Sequence, residues 1–373
     1  MIIAGEVSGD MHGAALVKEL KRLDSGINIF GIGGDKMKAA GMQIAYHINS
    51  MAFLGFAEVV KHLPFINRVQ KELIAIIKEK KISTVVLIDY PGFNLSIAKK
   101  LKKFEIKIIY YISPQIWAWG AGRIKKIKKL ISKMLVVFPF EEDFYKESGV
   151  DVKFVGHPLL ERINDYNLLS KAKLCEKLEL DCKKEILLIL PGSRQHEVEK
   201  IFPECIKAAE NISKEFGMQI VVACSPNINE NLFKKISGLT DFKIVKDYTY
   251  DLLKNSKVGI VKSGTSTLEA SLFELPMVIV YKTSLLTYLI GKRLIKVDNI
   301  GLANIVAGEN IATELIQNDV SGNKIYSELK KILSDDNYYA SIKKRMSIIK
   351  SRLGTLGASE RAAKIIYQAL NEA

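Results

Sequence analysis

The stretch VGIVKSGTSTLEASLFELP, residues 258–276, decides how the chain is read. Residues 258–261 form a short apolar run of strand type, leading through Lys262 into Ser263, Gly264, Thr265, Ser266 and Thr267. A helix then starts, carrying Leu268, Ala270, Leu272 and Phe273, with Glu269 in its first turns. Gly264 lets the backbone turn tightly and approach a ligand closely. The hydroxyls can cap the helix or bond an anion. The first N–H groups of a helix lack internal partners and sit at the positive end of its dipole, so a phosphate fits there. Glu269 is then placed to accept hydrogen bonds from a neutral group beside the phosphates, such as ribose hydroxyls. An ordinary capped turn between strand and helix fits the same residues, and the stretch alone leaves both readings open.

Outward from this turn, apolar β-rich runs alternate with amphipathic helical runs. Strands are expected at residues 1–4, 28–32, 84–88, 107–112, 134–138 and 152–155, and again at 186–190, 219–224, 242–245, 258–261 and 276–281. The sheet pattern stops at residues 161–184, where a charged helical segment intervenes. The class is α/β: two Rossmann-like domains, each a doubly wound parallel sheet, facing each other across a cleft. Domain boundaries are expected at 1–165, 166–340 and 341–373, the last a helical C-terminal tail packing back on the first domain. Ligands of such sheets bind at the carboxyl ends of the strands.

Composition agrees with this picture. A chain of 373 residues suits two domains. Hydrophobic residues make up 48% and charged ones 26%, with nine prolines and no low-complexity tract. No apolar run of about 18 residues or more is present, so no membrane span is expected. The opening residues Met1 to Glu6 show neither the basic nor the apolar region of a signal peptide. The four cysteines form no C-x-x-C pair and no zinc-like spacing with histidine, which predicts reduced thiols and no metal site. Net charge is +14, spread over both halves, with lysine pairs at 99–100, 102–103, 125–126 and 128–129. These read as solvated helix faces or as attraction to anionic headgroups and phosphorylated substrates. No nucleic-acid motif accompanies the charge.

Several turns bear chemistry. Gly5-Glu6-Val7-Ser8-Gly9-Asp10 follows the first strand and looks like a phosphate loop, yet fits neither G-x-G-x-x-G nor G-x-x-x-x-G-K-[ST]. A glycine-rich strand-to-helix turn explains it equally. Residues 84–88 run into Asp89-Tyr90-Pro91-Gly92-Phe93-Asn94, which puts Asp89 at a strand's carboxyl end. A carboxylate there can take a proton from a substrate hydroxyl, or it can simply stabilise the Pro-Gly turn. Trp117 and Trp119, two residues apart, cannot readily share one helix face, so one is a candidate to line a site. His157, before a proline, reads as structural. Pro191-Gly192-Ser193-Arg194 is a second phosphate-type turn, with Arg194 able to fork onto phosphate oxygens. Asn304 is the one strong side-chain hydrogen-bonding group in a glycine-bounded apolar turn, 301–308. Residues 51–66, MAFLGFAEVVKHLPFI, carry more apolar surface than one side of a helix needs. Phe53, Leu54, Phe56, Leu63, Phe65 and Ile66 are either buried or a surface for lipid. There is no D-x-D, no G-x-S-x-G and no H-E-x-x-H.

Taken in order, GEVSGD (5–10), DYPGFN (89–94), YISPQIWAW (111–119), FVGHP (154–158), LPGSRQHEVE (190–199), SGTSTLE (263–269) and NIVAG (304–308) resemble the lipid-A-disaccharide synthases over nearly the whole chain. The resemblance implies a GT-B glycosyltransferase of Gram-negative bacteria. It implies inverting transfer of 2,3-diacylglucosamine from its UDP derivative to 2,3-diacylglucosamine 1-phosphate, without a metal or other cofactor. It also implies Asp89 as the base, and Ser193, Arg194, Ser263, Gly264, Thr265, Glu269 and Asn304 around the UDP-sugar. Glu6, Ser8, Gly9 and Asp10 then line the acceptor side. Because both substrates carry acyl chains, the resemblance favours the lipid-contact reading of 51–66, on the cytoplasmic face of the inner membrane. A homodimer is left open. Gly92 stands where members often carry a second aspartate, so Asp89 alone is the expected base. A UDP-N-acetylglucosamine epimerase, sharing fold and nucleotide, is the rival reading.

Overall fold

The computed structural model describes residues 1–51, 62–119, 121–238, 241–284, 288 and 299–372. The chain divides into two compact units, Met1–Glu161 with Leu353–Ala373, and Arg162–Arg352. Among the described residues each unit holds one parallel sheet. The first sheet has β1 (Ile2–Ala4), β2 (Phe30–Gly33), β3 (Gln43–His47), β4 (Thr84–Ile88), β5 (Lys107–Tyr111), β6 (Lys133–Val136) and β7 (Val152–Phe154), in the order β3-β2-β1-β4-β5-β6-β7. The second has β8 (Ile186–Leu190), β9 (Gln219–Ala223), β10 (Lys243–Val245), β11 (Val258–Lys262), β12 (Met277–Tyr281) and β13 (Glu314–Ile316), in the order β10-β9-β8-β11-β12-β13.

The central strands explain the layering. Every residue of β4 (TVVLI) and β8 (ILLIL) is buried. Alternate side chains of a strand point to opposite faces, so a strand apolar throughout needs cover on both. Helices supply it. After β1 comes the helix Val7–Leu23, which buries Ala14, Leu16, Val17 and Leu20. The C-terminal helix Ala358–Asn371 lies beside it, with Ala362, Ala363 and Ile366 inward. In each sheet the strand order reverses direction at one place, between β1 and β4 and between β8 and β11. At such a switch point the connections leave on opposite faces and open a crevice at the strands' carboxyl ends.

Three expectations need correction. Two strands were not anticipated, β3 and β13. Both are edge strands; β3 reads QIAYH with no fully buried position and β13 has three residues. With so little burial or length, little apolar pattern marks either one. The domain boundary falls at Glu161, not 165. The expected tail 341–373 divides. Ile342, Met346 and Ile349 are buried, and the helix Ile348–Arg352 lies against Leu302–Ala307 in the second unit. Only from Leu353 does the chain belong to the first unit. An amphipathic period marks an apolar face but not what covers it. The re-entry is pinned within that unit: His157 N–H donates to Leu353 O at 2.9 Å, and Glu161 accepts from Ser359 N–H and Oγ at 2.9 and 2.7 Å.

Of the expected lipid-contact side chains, Phe53, Leu54 and Phe56 lie outside the described residues. The helix Leu63–Glu79 starts within that stretch. Leu63 is 45% exposed. Phe65 and Ile66 instead pack half-buried against the core, Phe65 edge-on to Tyr46.

Candidate active site

Asp89 stands at the switch point of the first sheet, just past β4. It and Tyr90 both have left-handed backbones, φ +44° and +48°. For a non-glycine residue that conformation costs of order 1–3 kcal/mol. It persists here because the Asp89 peptide is held from every side. Its N–H donates to Tyr111 O at 3.2 Å, and its carbonyl accepts from Asn94 Nδ2 at 2.6 Å and from the Tyr110 hydroxyl at 2.5 Å. Tyr110 and Asn94 are fully buried, and the Tyr90 hydroxyl is tied to Met51 O at 2.9 Å. Pro91 then opens the helix Pro91–Leu101 with its ring already set to helical φ.

The carboxyl group itself is differently placed. Among the described residues no cation pairs with Asp89. Burial, and then the nearby Glu6 carboxylate, push its pKa up to about 6; a hydrogen bond from Tyr90 N–H pulls the other way. A carboxylate rigidly oriented, short of partners and tuned toward neutrality suits proton abstraction. The neighbouring β1 loop comes close because residue 5 is glycine: a Cβ there would lie 2.1 Å from the Tyr90 ring.

Glu6 is exposed beside Asp89, and Ser8 is half-buried in the first turn of Val7–Leu23. Gly9 packs against Ala4 at the helix–sheet contact. Asp10 departs from its expected acceptor-side place. It is buried, and its carboxylate accepts from Gly34 N–H at 2.7 Å, Met37 N–H at 3.0 Å and Lys36 N–H at 3.1 Å. It satisfies the first N–H groups of the helix Asp35–Ala39, as an N-cap carboxylate does.

In the second unit the switch point lies between β8 and β11. The turn after β8 carries Ser193 and Arg194, both exposed, and opens the 22-residue helix Gln195–Phe216. The Glu197 carboxylate is buried between two cations: Lys262 Nζ lies 2.9 Å from its Oε1 and Arg194 Nη1 3.4 Å from the same atom. Two positive groups on one carboxylate leave a net positive charge beside two helix N-termini, since the turn after β11 opens the helix Thr265–Leu272. Gly264 caps it at φ +151°, a conformation suited to glycine, and Thr265 is exposed. The arrangement can hold a diphosphate without any further charge.

Other donor-side expectations change. The Ser263 hydroxyl donates to Ile300 O at 2.8 Å and so fixes the turn. Asn304 is fully buried and wholly occupied. Its Oδ1 accepts from Ile311 and Ala312 N–H at 3.0 and 3.1 Å, and its Nδ2 donates to Ala312 O and Glu314 Oε1, both at 2.8 Å. No polar atom is left over for a ligand. Glu269 keeps its place: Arg162 and the Tyr250 hydroxyl both engage its Oε1, not its Oε2.

The sequence reading passed over Lys262, Glu197, Tyr110 and Glu141. Lys262 was legible as the one charged residue ending an otherwise apolar strand. Glu141 was not: it is buried, and its carboxylate gathers Ser113 Oγ at 2.6 Å, Trp117 Nε1 at 3.0 Å and the N–H groups of Val137 and Phe138. Burial pushes it up to about 7 against those four hydrogen bonds. Trp117 is thus anchored, stacked edge-on to Phe140; the side chain of Trp119 lies outside the described part. His157 is structural, its Nδ1 accepting from Leu159 N–H at 3.1 Å.

Comparison with known proteins bears on both units. Among solved structures, the chain superposes on the S. aureus MnaA–UDP co-structure (TM-score 0.69, 15% identity, 100% of this chain and 97% of that one). It superposes also on CalG4, the calicheamicin glycosyltransferase (TM-score 0.62, 13% identity, 100% and 97%). These likenesses show the fold, the two-sheet GT-B type. The sequence relatives are nearer. A lipid-A-disaccharide synthase of Geobacter sulfurreducens is 40% identical over 100% of this chain and 97% of its own length. One of Coxiella burnetii is 36% identical over 98% and 97%. The family model described as Lipid-A-disaccharide synthetase matches residues 1–367. With the motifs of both units matched from end to end, the chain belongs to the lipid-A-disaccharide synthase family.

Proposed function

We propose that this glycosyltransferase of lipid A biosynthesis moves 2,3-diacylglucosamine from its UDP derivative to 2,3-diacylglucosamine 1-phosphate, with inversion at the anomeric carbon. The acceptor hydroxyl loses its proton to Asp89 as it attacks, and the bond from the anomeric carbon to the UDP oxygen breaks in the same step. The charge developing on UDP is met by Arg194, Lys262 and the N-termini of Gln195–Phe216 and Thr265–Leu272. Ser193, Gly264 and Thr265 shape the phosphate site, and Glu269 accepts from the ribose. No metal is needed in this scheme. Glu6 and Ser8 flank the acceptor.

The observation that carries the reading is Asp89: a strained, fully braced backbone presenting a carboxylate raised to about 6 at a switch point. A binding protein has no use for that combination. The rival epimerase reading needs no acyl-chain surface. For the acylated substrates we propose a peripheral site on the cytoplasmic face of the inner membrane, made by Leu63 with Phe53, Leu54 and Phe56. The exposed Lys125, Lys126, Lys128 and Lys129 of the helix Ile124–Leu130 would add attraction to anionic headgroups.

The test is UDP release from the acylated donor in mixed micelles, with and without the acylated 1-phosphate acceptor and with and without EDTA. Strict acceptor dependence, insensitive to EDTA and lost in Asp89→Asn, supports the reading. UDP release without acceptor, or full turnover by Asp89→Asn, overturns it.

A further inference from the structure

Arg162 opens the second unit, near the end of the helix Leu159–Asn164. Its guanidinium forks onto two partners: Nη2 donates to Glu269 Oε1 and Nε to the Tyr250 hydroxyl. The Tyr250 hydroxyl closes the triangle, 3.3 Å from the same Glu269 oxygen. The guanidinium also lies over the Tyr250 ring, 5.5 Å from its centroid. Tyr250 is wedged in turn between Tyr166, edge-on at 5.1 Å, and Phe273 at 5.7 Å. The segment carrying Arg162 is itself tied down, because the fully buried Asp251 accepts from the Tyr166 hydroxyl and from Leu169 N–H.

This is a rigid frame built around one carboxylate. Both contacts of Glu269 fall on Oε1, and its side chain is 13% exposed. Fixing one oxygen of a carboxylate by a planar guanidinium fixes the direction of the other. Burial raises the Glu269 carboxyl pKa on balance, opposed by the Arg162 charge and the hydrogen bonds from Tyr250 and Arg162. An ionised carboxylate is an acceptor only, which is what a pair of hydroxyl donors requires.

We propose that Arg162 and Tyr250 are positioning residues that aim Glu269 at the ribose diol of the donor, so that this frame selects ribonucleotides over deoxynucleotides. The inference rests on the reading of Thr265–Leu272 as the helix that holds the nucleotide. A site built to bond a hydroxyl discriminates strongly against the analogue lacking it, because its buried polar atom is then left unpaired. A merely structural Arg162 would weaken all nucleotides alike.

The experiment is calorimetric binding of UDP and of 2′,3′-dideoxy-UDP to the full chain, and to Glu269→Gln, Arg162→Met and Tyr250→Phe. Wild type should prefer UDP by about tenfold or more. Arg162→Met should narrow that preference several-fold while leaving affinity for the dideoxy compound unchanged. Tyr250→Phe, which removes a single oxygen, should narrow it less and covers the case in which Arg162→Met does not fold. If both variants keep the full preference, or lose affinity equally for the two ligands, the positioning role is overturned. The ribose reading survives that result provided Glu269→Gln still abolishes the preference. If Glu269→Gln keeps it, or wild type shows none, the ribose reading falls as well.

Discussion

Lys262 donates to Glu197 across the switch point of the second sheet, Nζ to Oε1 at 2.9 Å. The lysine ends β11 and the glutamate lies in the first turn of the helix after β8, so the ion pair joins the two loops that would hold a diphosphate. Both side chains are mostly buried, 17% and 11% exposed. The pair therefore costs desolvation, and its cation gains from a second anion.

The first prediction follows from that arrangement. Lys262→Met should weaken UDP binding by about tenfold to a hundredfold, the loss of one charged hydrogen bond. Arg194→Ala, at a more exposed position, should weaken it less yet depress turnover more, since its guanidinium can follow charge onto the leaving oxygen. Calorimetry and steady-state rates for the two variants check this; equal effects on both quantities in both variants would remove the division of labour.

Asp89 gives a pH dependence with a definite sign. Burial and then Glu6 raise its pKa to about 6, and as the proposed base it works only when ionised. Activity should therefore fall as pH drops through about 6. Glu6 contributes to the rise, so Glu6→Gln should move the acid limb downward. The linkage runs the other way for stability. With the folded pKa above the unfolded one, the native state binds the extra proton, and stability contributed below that window is lost as pH rises through it. Asp89→Asn should thus be inactive and more stable at pH 7 to 8, by about 1–3 kcal/mol. Thermal unfolding at pH 5 and pH 8 measures it, and the gain should be larger at pH 8.

The bracing of Asp89 is a separate prediction. Tyr110→Phe removes the hydroxyl that holds the Asp89 carbonyl, and Asn94→Ala removes the amide beside it. Neither group touches the carboxylate. Turnover should drop by about tenfold to a hundredfold while affinity for UDP stays constant, because orientation is lost and the proposed nucleotide site is in the other unit. Restoration of turnover in Asp89→Gly would contradict the role of the carboxylate itself.

How much of this was legible depends on where each residue's partners lie in the chain. β4 and β8 were readable to the residue because a central parallel strand is apolar on both faces. β3 and β13 were not, because one buries no side chain fully and the other is only three residues long. Asp89 and Arg194 were singled out because a strand's carboxyl end is where such sheets bind ligands, and both lie at a switch point. Asp10 sits at an equivalent place and was misjudged. Its partners Gly34, Lys36 and Met37 belong to the next strand–helix unit, and nothing local marks them. The left-handed pair Asp89–Tyr90 was hidden for the same reason, since the braces come from β5 and from inside the helix Pro91–Leu101.

Asn304 tests the same distinction between a residue that binds and one that builds. Its amide makes four hydrogen bonds inside the second unit, to Ile311, Ala312 and Glu314. Asn304→Ala strands two N–H groups and a carbonyl in the interior and leaves Glu314 Oε1 with Gly301 N–H alone, which should lower stability by about 3 kcal/mol or more. Asn304→Asp should be worse at neutral pH, because it sets a second carboxylate beside Glu314 Oε1 with no cation described there. If the residue only builds the turn, folded Asn304→Ala binds UDP with wild-type affinity below its melting temperature. A large loss of UDP affinity with an unchanged melting temperature would return Asn304 to the donor site.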